Sequence, residues 1–407
     1  MGRMPLTAAL AAMPTAPTGS PLRRCVGDPE RFVREHWGSA PLHRARTSPD
    51  GFADLFGIAD VDHLVAAASL RIPAFRMVKD GTPLPPESYT KSGRVGSKPL
   101  GDLVDPGKVY RHFGDGATIV LQSLHRYWLP LTRFCRDLEL ALTHPVQVNA
   151  YITPRSSRGL GLHADGHDVF VLQVHGRKRW EVYQPGPARD PKAPGERLLD
   201  VTLDPGDCLY VPLGFPHAVW TEQSASAHLT VGVLTYKWNE LLRDAVLRVL
   251  DDPAFEQGLP PGFAGDPEAV AAAVAEQLGE LQRRLGKLDH AQVAATAARR
   301  FWSSRPPILT GQLQQLLALD AVSDATVVRR RAGSVCRLEH DDGGRPVLEL
   351  GDRRLTFPGW VEPGLRALLR HASFAVADLA AELDPQSRLV LVRRLIREGL
   401  LESDVVA

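Results

Sequence analysis

Between residues 146 and 236 the chain runs as seven short β-rich segments: VQVNAYITP, DVFVLQVHG, KRWEVYQ, RLLDVTL, CLYVPL, AVWTEQ and HLTVGVLTY. Gly and Pro punctuate them throughout. Segments of this length and spacing belong to an antiparallel barrel or double-sheet sandwich, not to βαβ units, whose strands alternate with helices. A double-sheet jelly roll fits the count. With helical segments on either side of this block, the expected fold class is α+β.

Within the block, His163 and Asp165 stand two residues apart on a strand-like run, and side chains at i and i+2 of a strand leave on the same face. A third group of the same kind, His217, closes PGDCLYVPLGFPH, where a Gly-Asp turn starts a short apolar strand. Two imidazoles and one carboxylate on one face of a metal leave the opposite face open for substrate and O2, the arrangement of non-haem Fe(II) oxygenases. The HxD spacing alone is common, and a second copy, His340 with Asp342, sits in an HDDGG turn and reads as a solvated hairpin tip. Context separates the two. Asp165 leads into the apolar run DVFVLQV, and polar groups placed inside a barrel are costly to bury unless they bind something. His167 and His228 read as supporting or surface residues rather than further ligands.

Length and charge set wide bounds. At 407 residues the chain has room for two or three domains. The 48 basic and 47 acidic residues leave a net charge of +1, so no overall field favours nucleic acid or an anionic membrane. Cys25, Cys135, Cys208 and Cys336 are scattered without a CxxC pair, which points to reduced thiols in a cytoplasm, not to a zinc knuckle or disulfide framework. No run approaches the roughly 18 apolar residues of a membrane span. The apolar stretch at 6–13 has a single Arg before it and prolines close behind, so residues 1–27 are expected to be a disordered tail.

From Asp28 the pattern DPERFVREHW predicts a helix capped by Asp28, started by Pro29 and burying Phe32 and Trp37. Residues 49–110 alternate helical signals, FADLFG and VDHLVAAASL, with Gly/Pro-rich loops, and no chemistry is assigned there. ATIVL reads as a strand, followed by helical spacing up to Leu142. After Tyr236 the pattern turns helical. NELLRDAVLRVL, DPEAVAAAVAEQLGELQRRLG and HAQVAATAARRFW predict helices whose apolar stripes need a partner surface, expected to be a dimer interface. From about 306, a β hairpin and three helical runs suggest a winged-helix module. The expected division is a catalytic domain over 28–238, a helical dimerisation region over 239–305 and the winged-helix module over 306–407.

HADGHDVFVLQVHGRKRWEVY, with VLQSLHR and VNAYITP before it and PGDCLYVPLGFPH after it, resembles the JmjC-type cupin-like oxygenases, specifically the bacterial ribosomal-oxygenase group. The resemblance implies a double-stranded β-helix core. It also implies Fe(II) held by His163, Asp165 and His217, with 2-oxoglutarate and O2 as cosubstrates. In that family a basic residue at the position of Lys178 binds the far carboxylate of 2-oxoglutarate, and an Asn at the position of Asn149 lies beside it. The residues agree. A dicarboxylate needs a cation at its distal end, which also favours iron over zinc, and strand alternation puts Lys178 on the face opposite Arg177 and Arg179. Asn149 and Tyr151 are expected to point together into the barrel, and Thr230 to close the cosubstrate pocket.

The reaction implied is hydroxylation of a protein side chain, with an arginyl or histidyl residue of a ribosomal protein the favoured substrate and N-methyl-lysine demethylation less favoured. A tailoring hydroxylase of a peptide natural product uses the same chemistry, and Arg155 and Arg158 in PRSSRGLG could meet an acidic substrate or only solvent. Of a different class is a winged-helix DNA-binding regulator using Arg388, Arg393, Arg394 and Arg397. Neighbouring acidic residues dilute that charge, so no nucleic acid is expected. A non-catalytic binding protein would need an incomplete triad. A homodimer with no membrane association is expected.

Overall fold

The computed structural model describes residues 20–46, 51–155, 161–187, 190–221 and 223–405. The chain divides into two compact units, Met1–Thr235 and Tyr236–Ala407.

In chain order the first unit contains α1 (Pro21–Val26), α2 (Pro29–Glu35), β1 (Leu42–Arg44), α3 (Ile58–Ala67), β2 (Phe75–Lys79), β3 (Thr82–Pro83), β4 (Thr90–Val95) and β5 (Lys98–Val104). There follow α4 (Pro106–Gly114), β6 (Thr118–Leu121), α5 (Leu129–Leu142), β7 (Val146–Thr153), β8 (Asp168–His175), β9 (Lys178–Tyr183), β10 (Arg197–Leu203), β11 (Cys208–Val211), β12 (His217–Trp220) and β13 (Ser226–Val233). An eight-stranded sheet runs in the order β1-β11-β8-β13-β7-β6-β2-β3, and a three-stranded sheet in the order β10-β9-β12. Neighbours pair antiparallel.

Alternation along β7 shows how the sequence builds these layers. Val146, Val148, Ala150 and Ile152 enter one core with the helices, while Gln147, Asn149, Tyr151 and Thr153 face the other way. On β8 both faces are apolar. Phe170 and Leu172 join the helix-side core, and Val169 and Val171 join a second cluster with Trp180, Val182, Leu203, Leu209, Val211 and Val219 between the two sheets. Helix α5 covers the outer face of the large sheet with Leu131, Phe134, Cys135, Leu138 and Leu142, one stripe at helical spacing. Each fully buried leucine of such a stripe contributes about 1.5–3 kcal/mol.

Helix α2 begins where its sequence predicts, with the Asp28 carboxylate accepting from the backbone N–H groups of Glu30 and Arg31. Trp37 lies beyond its end and stacks on His144 and Tyr210. Two expectations need correction. The tail expected over residues 1–27 stops short of 27: Ser20 caps α1, and Leu22, Cys25 and Val26, at i, i+3 and i+4, are buried in the helix-side core. Residues 1–19 lie outside the described residues. The region 49–110 also holds more strand than its loops suggested, because FRMVK alternates over only a few residues. There Phe75 and Met77 are fully buried in the helix-side core, while Arg76 and Val78 face the space between the sheets.

The second unit contains α6 (Trp238–Leu250), α7 (Pro267–Leu285), α8 (His290–Trp302), α9 (Gln312–Leu317), β14 (Val327–Arg330), β15 (Cys336–His340), β16 (Pro346–Leu350), β17 (Arg353–Thr356), α10 (Glu362–Arg370), β18 (Ser373–Ala375), α11 (Pro385–Arg397) and β19 (Leu401–Ser403). Its strands form two three-stranded sheets, β18-β14-β19 and β15-β16-β17. AVADLAAEL, expected to be helical, closes instead as a 3-10 turn over Val376–Leu379. Asp378 accepts from the Ala375 N–H and so caps the start of this turn. No helix among the described residues is long and apolar enough to cross a membrane.

Candidate metal and cosubstrate site

Two short connections bring the triad together. His163 and His217 form an isolated antiparallel bridge, exchanging backbone N–H groups and carbonyls at 3.2 and 2.8 Å. Gly214, in the left-handed conformation, donates its N–H to the Asp165 carbonyl and so ties the turn before His217 to the HxD segment. Ligand atoms of His163, Asp165 and His217 all lie within 4.8 Å of one another. The ring orientation is fixed as well. Nδ1 of His163 is 2.7 Å from the Gly161 carbonyl, and Nδ1 of His217 is 3.1 Å from the Phe215 carbonyl. A carbonyl only accepts, so Nδ1 carries the proton in both rings and Nε2 keeps its lone pair, the form in which histidine binds a metal. Burial, helped by the neighbouring His163, lowers the pKa of His217 to about 4.

Asp168 supports the same frame and drew no attention in the sequence. Its buried carboxylate accepts from the Tyr210 hydroxyl at 2.6 Å, the Thr235 hydroxyl at 2.6 Å and the Leu213 N–H at 3.2 Å. It thereby ties β8, which follows Asp165, to the turn that precedes His217.

The triad opens into a cavity of about 180 Å³ between the two sheets. Lys178 lines it too, 2% exposed, and its Nζ donates to the Thr153 hydroxyl at 3.0 Å. The alternation expected for β9 is present: Lys178, Trp180 and Val182 are buried, whereas Arg177 pairs with Asp204 and Arg179 with Asp200 on the outside. Among the described residues no carboxylate pairs with Lys178, and burial lowers its pKa to about 7.

Tyr151 and Thr230 line the cavity. Asn149 shares their face but does not line it; its Oδ1 accepts from the N–H of Ser123, a residue in the left-handed conformation, at 2.9 Å. His228 is part of the wall rather than the surface. It stacks on Tyr151 and meets Trp180 edge-on. Burial, with Lys178 nearby, keeps its imidazole neutral. Thr153 and Trp180 also line the wall, each two residues along a strand from a predicted site residue, so extending the alternation would have found them. Arg76 carried no such signal.

Three buried polar atoms of this wall, Nε of Arg76, Nε1 of Trp180 and Nδ1 of His228, have no hydrogen-bond partner among the described residues. Native interiors rarely leave such atoms unpaired. With a buried ammonium and a His-Asp-His set, the wall suits a divalent metal and an anionic small molecule with several acceptor oxygens.

A family profile described as the JmjC domain matches residues 125–241, which contain the triad, Lys178, Asn149, Tyr151 and Thr230. Ribosomal oxygenase 1 of Gallus gallus is 31% identical over 318 residues, which cover 71% of this chain and 51% of that protein. A Dictyostelium discoideum protein named bifunctional lysine-specific demethylase and histidyl-hydroxylase NO66 is 26% identical over 351 residues, covering 79% of this chain and 66% of that protein. The chain thus spans about half the length of the chicken relative. Among solved structures, Escherichia coli YcfD, a ribosomal oxygenase, shares the fold with a TM-score of 0.54 at 18% identity, over 93% of this chain and 99% of that one. YcfD in complex with cobalt and 2-oxoglutarate aligns with a TM-score of 0.52 at 20% identity, over 92% of this chain and 98% of that one.

The histidine and arginines singled out in the last segment of the sequence belong to the second unit. Nε2 of His340 is 3.0 Å from Glu362. Arg388 pairs with Asp324, Arg393 donates to the carbonyls of Asp320 and Val322, and Arg394 lies over the Phe357 ring. Arg158 falls outside the described residues.

Proposed function

We propose that this chain is an Fe(II)- and 2-oxoglutarate-dependent oxygenase that hydroxylates a protein side chain, with an arginyl or histidyl residue of a ribosomal protein the favoured target. The carrying observation is the pairing, across one cavity, of a His-Asp-His set having free Nε2 atoms with a buried lysine that has no carboxylate partner among the described residues. His163, Asp165 and His217 would hold the metal, Lys178 with Thr153 would hold the distal carboxylate, and Tyr151 and Thr230 would bound the cosubstrate. Asn149 acts through Tyr151 and the Ser123 turn. Bound together, iron and 2-oxoglutarate supply the oxidising power that puts one oxygen of O2 into a C–H bond and the other into succinate, with release of CO2. The protein's own part is to fix the metal ligands' tautomers, neutralise the dicarboxylate and keep the cavity small enough to exclude bulk water.

The names of the chicken, slime-mould and bacterial relatives support a protein substrate and, through YcfD, a metal and 2-oxoglutarate in this fold. Exposed Trp238, Leu242 and Leu247 on α6, with Leu278 on α7, support the reading of this helical region as a dimerisation surface. The sheet β18-β14-β19 packed with α10 and α11 supports a winged-helix reading of the last segment. A cytoplasmic location suits both the buried thiols and a ribosomal substrate.

Reconstitution with Fe(II) under anaerobic conditions, followed by O2-dependent succinate release with and without intact ribosomes, tests the proposal. Succinate that disappears in His163→Ala, with a gain of about 16 Da on a ribosomal protein, is the expected result. Absence of both metal binding and succinate overturns it.

A further inference from the structure

The formally charged side chains lining the cavity, among the described residues, are Asp165, Lys178 and Arg76. If the site works as proposed above, a divalent ion and Lys178 are balanced by Asp165 and a dicarboxylate. Arg76 is then left over. It sits on β2 in a row that crosses the large sheet through registered pairs, Arg76 with Val120, Val120 with Tyr151, and Tyr151 with His228. Its side chain reaches the Tyr151 hydroxyl, Nε is buried without a partner, and among the described residues no carboxylate pairs with it. Whereas Lys178 is almost fully buried, Arg76 is only half-buried and lies on β2, the strand next to the edge of the large sheet.

A guanidinium keeps its charge at every relevant pH. Held unpaired in a partly desolvated wall, it attracts neutral acceptors and repels a second cation more strongly than it would in water. We propose that Arg76 is a specificity-determining residue that keeps the entrance of the loaded site positively charged. It admits an uncharged target such as an imidazole and turns away a guanidinium or a methylated ammonium. The inference rests on the oxygenase reading and narrows its substrate. Val120 beside Arg76 and the Tyr151 ring give an incoming ring an apolar seat.

The test uses the full chain loaded with Fe(II) and 2-oxoglutarate and ribosomal proteins as the probe, with oxidised residues mapped by peptide mass spectrometry. A synthetic peptide around the mapped residue is then made with His, Arg or dimethyl-lysine at the target position. The expected result is modification of an uncharged residue, with kcat/KM for the His peptide at least about tenfold above the Arg peptide. Arg76→Glu should narrow or invert that ratio, and Arg76→Lys should keep it, a pattern that a general loss of stability does not produce. Wild-type protein that oxidises arginyl or methyl-lysyl targets as efficiently overturns the inference while leaving the oxygenase intact. So does a ratio unmoved by Arg76→Glu while the KM for 2-oxoglutarate rises, which would make Arg76 a cosubstrate ligand. Failure of the wild type to convert 2-oxoglutarate at all overturns the underlying reading first, and the inference with it.

Discussion

Replacing Lys178 with methionine should make the protein more stable and a poorer binder of 2-oxoglutarate, with both effects following pH. In the folded chain burial lowers the Lys178 pKa from 10.5 to about 7, while the unfolded chain keeps the ordinary value. Between those two values the unfolded state binds one proton more than the folded state. Stability therefore rises with pH through that window and is lowest below about pH 7, where the ammonium must be buried charged. The fall in pKa corresponds to a penalty on the order of 5 kcal/mol. Urea unfolding should accordingly find Lys178→Met more stable than the wild type by several kcal/mol near pH 6.5, with the gap closing towards pH 10. A bound dicarboxylate reverses the preference, because an anion beside Nζ favours the ammonium. Above about pH 7 each 2-oxoglutarate bound should bring nearly one proton with it, and its affinity should fall by up to about tenfold per pH unit. Calorimetric titration with Mn(II) in place of iron, in buffers of different ionisation enthalpy, counts that proton. The methionine variant should take up none. Wild-type protein that binds 2-oxoglutarate near pH 8.5 without proton uptake, or a methionine variant that binds it equally well, would refute the assignment of Lys178 as the distal anchor.

Asp168→Ala removes the acceptor of three hydrogen bonds and leaves buried donors on Tyr210 and Thr235; urea unfolding should show a loss of about 3–5 kcal/mol, and Mn(II) titration an affinity lower by about 10- to 100-fold. Gly176, at φ +57 in the turn between β8 and β9, has no room for a Cβ, which would fall 1.8 Å from the Ala225 carbonyl oxygen. Gly176→Ala should therefore destabilise the fold by at least about 2 kcal/mol and weaken 2-oxoglutarate binding by displacing Lys178, and an unchanged Tm would contradict that role. Asp165→Asn keeps the shape of the triad but removes its one anionic ligand, so Co(II) binding followed by absorption spectroscopy should weaken by about 10-fold or more while the Tm of the metal-free protein stays within a few degrees.

Much of the site was legible because strand geometry is local. Alternation along KRWEVY decides that Lys178 and not Arg177 or Arg179 turns inward, which needs only a period of two; the HxD pair, expected on a strand, lies instead on the connection before β8, where His163 forms an isolated bridge with His217. His217 reads in the sequence as the end of the apolar strand after the Gly-Asp turn, but that strand, β11, stops at Val211 and His217 opens β12. The contacts that complete the cavity come from pairing at long range, and nothing in a short segment records them. FRMVK looks like many other five-residue stretches until β2 docks on β6, and only that register delivers Arg76 beside Val120 and Tyr151. Asp168 likewise reads as the first residue of a strand, yet its value lies in joining Tyr210, Leu213 and Thr235, more than forty positions further along the chain. The second helical run expected for the winged-helix module, AVADLAAEL, closes as a 3-10 turn, which its apolar spacing does not separate from an α-helix. Which residue types face inward is thus a matter of period and composition, carried by the sequence. Which of them meet, and how much charge remains uncompensated where they do, depends on sheet order and burial and is decided only when the chain closes on itself.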